Sequence, residues 1–139
     1  YALNEPIQLT QAGYKINVFY LDQYTRLVSN GLITNDETIK KDPKLVQSVV
    51  RAFLKGLQDT LNDPDAAFAI SRKAIPEMNE TTAKLQRAVL QACLDYWRGD
   101  KLGASDPAAW EESVTFLKKL KLLSADVKAD ALFSNQFIK

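Results

Sequence analysis

Histidine is absent from all 139 residues, and that absence removes more chemistry than any other count in the composition. Without imidazole there is no Ser-His-Asp or Cys-His nucleophile system, no HExxH zinc site, no His-ligated iron and no side chain whose ordinary pKa sits near neutrality. Cysteine is nearly absent too: a single Cys93 permits neither an intrachain disulfide nor a cysteine-rich zinc site. Its neighbours Val89, Leu90, Ala92 and Leu94 mark it as a small buried hydrophobe rather than a reactive thiol. Charge of either sign is not in excess, with 18 Lys and Arg against 17 Asp and Glu spread along the chain. Nucleic acid and acidic membranes both select a concentrated basic face, so neither is an expected partner. No apolar run approaches the ~20 residues of a membrane span, and the opening Tyr-Ala-Leu-Asn-Glu-Pro lacks the basic start and apolar stretch of a signal peptide. These absences point away from catalysis: no catalytic group, no metal and no cofactor is expected.

What is present in quantity is helix punctuation. Three candidate helix starts use Asp followed by Pro: Asp42-Pro43, Asp63-Pro64 and Asp106-Pro107. The carboxylate accepts from free backbone N–H groups and favours the positive end of the helix dipole, while Pro in the first turn gives up an N–H that has no partner there. Thr34-Asn35-Asp36-Glu37 adds a capping pattern, and Asn79 a further cap. Between the caps, apolar residues recur at the helical period. Val46, Val49, Val50, Phe53, Leu57 and Leu61 form one stripe across residues 44–61, and Leu85, Ala88, Val89, Ala92 and Tyr96 another across 81–98, which Gly99 ends. A short Ala-rich helix over 64–74 stops before Pro76, and a longer one runs from Pro107 to about Leu123, followed by a short helix and a tail.

The first third reads differently. Glu5 to Gln11 is a short helix ended by Gly13. Lys15 to Leu21 alternates with period two and is rich in β-branched and aromatic residues, and Leu27 to Thr34 forms a second extended segment broken at Gly31. The expected order is short helix, two strands, then about five helices. Length alone suggests one domain. Two strands do not make a sheet, however, and an isolated pair is marginal in water. Either another chain completes the pair, or the chain is the C-terminal portion of a larger α/β protein; the Tyr start favours the second expectation.

The residues that carry a family resemblance come in a fixed order. Asn4-Glu5-Pro6, Leu9 and Gly13 precede a segment ending at Asp22. Asn30-Gly31-Leu32-Ile33-Thr34, Pro43, Val46, Arg51-Ala52-Phe53-Leu54-Lys55-Gly56-Leu57 and Asp63-Pro64-Asp65-Ala66-Ala67 follow, with Trp110, Leu117 and Ser134-Asn135-Gln136-Phe137 near the end. The set resembles the C-terminal half of periplasmic solute-binding proteins of ABC importers, in the branch serving thiamine-precursor pyrimidines, nitrate, sulfonates and taurine. The resemblance implies an α/β, two-lobed periplasmic binding protein type II fold, of which this chain holds only the C-terminal, helix-rich portion. Residues 1–14 would end the second lobe, 15–25 would form the crossover or hinge, and 26–139 would be the C-terminal part of the first lobe. A binder of this kind needs a concave pocket with a few fixed polar groups, and lobes whose open and closed states lie close in energy.

The same resemblance nominates ligand-binding residues. In pyrimidine-binding members an aromatic residue and a Glu four positions later reach into the cleft, and Tyr1 and Glu5 stand at that spacing with Asn4 between them. Tyr offers a stacking face and Glu an acceptor for paired N–H donors, which favours a cationic or N–H-rich ligand over a sulfonate or nitrate. The competing roles are a carboxylate that favours its helix N-terminus and a frayed Tyr end. Asp22 and Tyr24 would lie at the hinge or cleft rim; the competing role is an ordinary turn, and Gln23-Tyr24-Thr25 departs from the Gly and Pro that family members often have there. Trp97, Trp110 and Tyr96 lie within helical periodicity and are assigned to packing, and the Lys118, Lys119, Lys121 cluster to a solvated helix face.

The resemblance therefore implies a non-enzymatic, periplasmic or extracytoplasmic component, with or without a lipid anchor. It would bind a small heteroaromatic or nitrogen- or sulfur-containing molecule and deliver it to ABC permease transmembrane subunits. Self-association is expected if the N-terminal half is absent. Two alternatives stand beside it: a pyrimidine-precursor synthase-like enzyme of the same fold, which uses a protein His that this chain lacks, and a stand-alone helical interaction module.

Overall fold

The computed structural model describes residues 3–138, which form six α-helices and two single 3-10 turns. The helices are α1 (Asn4–Gln11), α2 (Asp36–Lys41), α3 (Pro43–Asn62), α4 (Pro64–Ala74), α5 (Glu80–Trp97) and α6 (Pro107–Lys119), with the 3-10 turns at Leu21–Gln23 and Ala129–Ala131. The caps sit where the sequence puts them. Asn35 accepts from the Thr38 N–H at 2.8 Å, Asp42 from Leu45 at 2.9 Å, Asp63 from Ala66 at 2.9 Å, Asn79 from Thr82 at 2.9 Å and Asp106 from Ala108 at 2.9 Å. Each satisfies a helix-start donor that has no partner within its own helix.

Two helix ends share one geometry with different residues. At α1, Gly13 takes φ +85°, its N–H donates to Thr10 O at 3.0 Å, and the Tyr14 N–H donates to Leu9 O at 3.0 Å. At α6, Lys121 takes φ +58°, with Lys121 N–H donating to Lys118 O at 3.0 Å and Leu122 N–H to Leu117 O at 2.9 Å. Both are Schellman ends. The α6 helix therefore stops at Lys119, about one turn before the end that its apolar period predicts.

The chain is helix-rich as expected, but the two expected strands are corrected to extended segments: among the described residues there is no β-strand. The reason is visible in residues 15–21. Ile16, Val18 and Tyr20 are half-buried while Lys15, Asn17, Phe19 and Leu21 are exposed, so burial keeps the period of two. A strand also needs a neighbour to bond its N–H and C=O groups, and no ladder partner lies among the described residues. Residues 25–28, by contrast, bond α6 side chains instead of another strand.

The chain divides into two compact units, residues 1–19 with 54–102 and residues 20–53 with 103–139, the boundary at one point falling inside α3. In the first, α1 and α4 both pack on α5, with Ala83 and Leu94 buried and Leu94 only 2% exposed. Arg87 of α5 ion-pairs with Asp65 of α4 and lies 5.4 Å above the Phe68 ring. In the second, α6 packs on the 129–131 turn around Val114, and Trp110 stacks on Phe133 at 5.7 Å and 13°. Asn135 ties the tail down by accepting from the Ser105 N–H at 2.8 Å and donating to Ser105 O at 2.9 Å.

Both cores are thin. Among the described residues the buried apolar side chains are Val46, Ala83, Leu94 and Val114, while Val49, Phe53, Ile70 and Leu45 stay at least half exposed. The accessible surface is 10831 Å². Two independent compact units sharing the chain's mass equally would expose about 8,700 Å². Part of that surface is the apolar stripe of α3, which is buried only at Val46. Tyr96 and Trp97, assigned to packing by their period, are likewise 53% and 37% exposed.

Candidate functional site

The nominated residues fall into two groups. Asn4 opens α1, and its Oδ1 accepts from Gln8 Nε2 at 3.0 Å, one turn further on. Glu5 lies beside it in the first helical turn with an exposed side chain. A carboxylate there is favoured by the unbonded N–H groups of the helix start. Tyr1 lies outside the described residues. The second group belongs to the other unit. Asp22 is within the 3-10 turn Leu21–Gln23, and Tyr24, which follows the turn, is 75% exposed. The Tyr24 and Thr25 N–H groups both donate to Leu21 O, at 2.9 and 3.1 Å, and close the turn. The structure thus brings Asn4 and Glu5 together in one turn and Asp22 and Tyr24 in another, with the two pairs in different units.

Next to the second pair stands an arrangement that the sequence reading did not single out. Glu112 of α6 accepts from the Thr25 hydroxyl and from the Arg26 N–H, the latter at 3.0 Å. Ser113, 5% exposed, accepts from the Val28 N–H at 2.9 Å. The Arg26 guanidinium lies 3.7 Å from Glu112 and 3.6 Å from Asp106. The Thr25 hydroxyl, then the Arg26 amide, and to a smaller extent the Arg26 charge hold the Glu112 carboxyl below the usual carboxylate range. Partners 85 to 87 residues away leave no local trace in the sequence.

Elsewhere the chemistry is quiet. Burial raises the Cys93 thiol above its ordinary value, which makes it less reactive. No cluster of three or more His, Cys, Asp or Glu that could hold a metal occurs among the described residues. A shallow groove along the first turns of α3 is lined by Pro43, Lys44, Gln47, Ser48 and Phe137, and Gln47 Nε2 already donates to Phe137 O at 3.0 Å. No helix of the described residues is long and apolar enough to cross a membrane.

A family model described as NMT1/THI5 like matches residues 1–67, the stretch that holds α1, the 21–24 turn, α2 and all of α3. The riboflavin-binding protein RibY of Chloroflexus aurantiacus is 38% identical over 143 aligned residues, covering 99% of this chain and 41% of that protein. Together the two matches support the chain as a fragment of a solute-binding protein of the NMT1/THI5-like family. It spans less than half the length of the curated relative it matches. No solved structure matches it.

Proposed function

We propose that the protein is a non-enzymatic, extracytoplasmic solute-binding component of an ABC importer, which holds a small heteroaromatic molecule and passes it unchanged to permease subunits. The observation that carries this reading is the 38% identity to a riboflavin-binding protein, sustained over nearly the whole chain. In this reading residues 1–14 end the second lobe, 15–25 cross between lobes, and 26–139 belong to the first lobe. The uncovered apolar faces of α3 and the ladderless residues 15–21 support an arrangement in which further chain completes both lobes.

Tyr1, Asn4, Glu5, Asp22 and Tyr24 are the proposed ligand contacts. A flavin or an aminopyrimidine has a flat ring for Tyr to stack on and N–H donors for a Glu carboxylate to accept. Nitrate, sulfonates and taurine each bring an anionic group toward Glu5, which disfavours them. The test is titration of the protein at its natural full length with riboflavin, followed by quenching of flavin fluorescence, and with thiamine, nitrate and taurine by calorimetry. Riboflavin or thiamine is expected to saturate, and Glu5→Gln to weaken that binding about tenfold, as loss of a charge-assisted hydrogen bond does. Saturation by nitrate or taurine, with no response to Glu5→Gln, would overturn the reading.

A further inference from the structure

We propose that Glu112 and Ser113 of α6 form a polar latch that positions the turn carrying Asp22 and Tyr24, making Glu112 a positioning residue for ligand binding. That last role rests on the reading above, in which Asp22 and Tyr24 touch ligand.

The sequence around the turn explains why a latch is needed. Residues 14–20 and 26–35 form no helix or strand, so nothing in regular structure fixes the 3-10 turn between them. The turn's own bonds are local, from Gln23 N–H to Tyr20 O and from Tyr24 and Thr25 N–H to Leu21 O. Such a turn keeps its shape without keeping its place. Its place comes from the next residues, where three hydrogen bonds run to two consecutive side chains of α6: Thr25 and Arg26 to Glu112, and Val28 to Ser113.

Thr25 is the pivotal residue. Its N–H closes the turn on Leu21 O while its hydroxyl donates to Glu112, so the turn and the latch share one residue, adjacent to Tyr24. The base of the latch is itself well set. Glu112 and Ser113 lie mid-helix, Ser113 is buried, and α6 is fixed at its start by the Asp106 cap and beside it by the Trp110–Phe133 stack. Arg26, between Glu112 and Asp106, draws the same segment toward the helix by charge. A binding residue held in place before ligand arrives does not lose affinity to the fraction of time spent elsewhere.

The experiment is hydrogen exchange over residues 20–28 of the protein at its natural full length, together with riboflavin titration, in wild type, Glu112→Ala, Glu112→Gln and Ser113→Ala. Glu112→Ala is expected to speed exchange of the Arg26 amide and, with it, of the Tyr24 and Thr25 amides about tenfold, and to raise the riboflavin Kd about fivefold. Glu112→Gln keeps a carbonyl oxygen for both donors and is expected to restore most of the protection and affinity. Ser113→Ala is expected to release the Val28 amide with a smaller effect on the turn.

Release of the Arg26 amide with Tyr24 and Thr25 still protected would overturn the positioning role, as would a loosened turn with unchanged riboflavin affinity. A Gln variant as impaired as the Ala variant, with exchange raised throughout α6, would reduce Glu112 to general support of the fold and overturn it too. If wild type takes up no riboflavin while the turn loosens and recovers as expected, the positioning of the turn stands and the ligand reading alone fails.

Discussion

Phe53→Ala separates two accounts of the surplus apolar surface. Phe53 lies on α3 in line with Leu45 and Val49, and these three side chains are 51%, 52% and 50% exposed respectively. If that face meets water in the native protein, the substitution removes only half of a phenyl burial and leaves no cavity. Full burial of such a side chain is worth about 1.5–3 kcal/mol, so the cost would be about 1 kcal/mol. If additional chain covers the face, as the proposed two-lobed arrangement requires, the same change removes a core aromatic and costs about 3 kcal/mol or more. The assay is urea unfolding of the 139-residue chain and of the protein at its natural full length, each with and without the substitution, comparing midpoints at constant slope. The short chain should also self-associate, and gel filtration should show that association weakened by Phe53→Ala, because an exposed apolar face is what drives it. Equal costs of about 1 kcal/mol in both proteins, with a monomeric short chain, would refute the covered-face argument and favour a stand-alone helical module.

Asp63→Ala removes the side chain that accepts from the Ala66 N–H at the start of α4 and should lower stability by about 1 kcal/mol in thermal unfolding. Lys121→Gly should do the opposite, raising stability by about 0.5–1 kcal/mol, because Lys121 holds φ +58°, a conformation that strains a residue with a Cβ. The acid limb of stability should reflect Glu112 and Glu80, both held below their ordinary pKa: Glu112 by Thr25 first, Glu80 by the hydrogen bond from Arg72 and then its charge. Since each folded pKa is depressed, the unfolded chain takes up the proton first. The contribution is complete above the ordinary carboxylate value of about 4.3 and is lost as pH falls through the lower folded value. Urea midpoints should therefore be flat from pH 6 to 8 as far as these two groups are concerned and fall in acid, with a shallower fall in Glu112→Gln; an identical acid limb in that variant would count against the Glu112 contacts.

Helix starts were legible because their cause is local. An Asp or Asn side chain reaches an N–H two or three residues away, so Asn35, Asp42, Asp63, Asn79 and Asp106 announce themselves in any short window of sequence. Helix ends were legible only where the residue type matched the geometry. Gly13 and Lys121 occupy the same position of the same Schellman motif, yet only the glycine signals a stop. Apolar Leu120, Leu122 and Leu123 continue the helical period past Lys119, and the chain departs from the helix there regardless. The exposed Tyr96 and Trp97 show a further limit, since a period names a face without saying what covers it.

The strands and the candidate site depend on partners that lie far away in sequence, and their legibility failed for that one reason. Residues 15–21 have the composition and the alternating burial of a strand, and the pattern was read correctly as far as side chains go. A strand is also a ladder, and a ladder belongs to two segments; period two in one of them cannot supply the other. Residues 27–34 failed differently, because the Val28 N–H is bonded to Ser113 Oγ instead of to a strand carbonyl. That exchange of a backbone acceptor for a hydroxyl is invisible before the fold is known, and so was the Glu112 contact to Arg26 just ahead of it. The two misreadings differ in consequence. Tyr20 O and Leu21 O are taken up by the 3-10 turn, which leaves the backbone of residues 15–19 for a strand that additional chain could supply, whereas the Arg26 and Val28 N–H groups are bonded to α6 side chains.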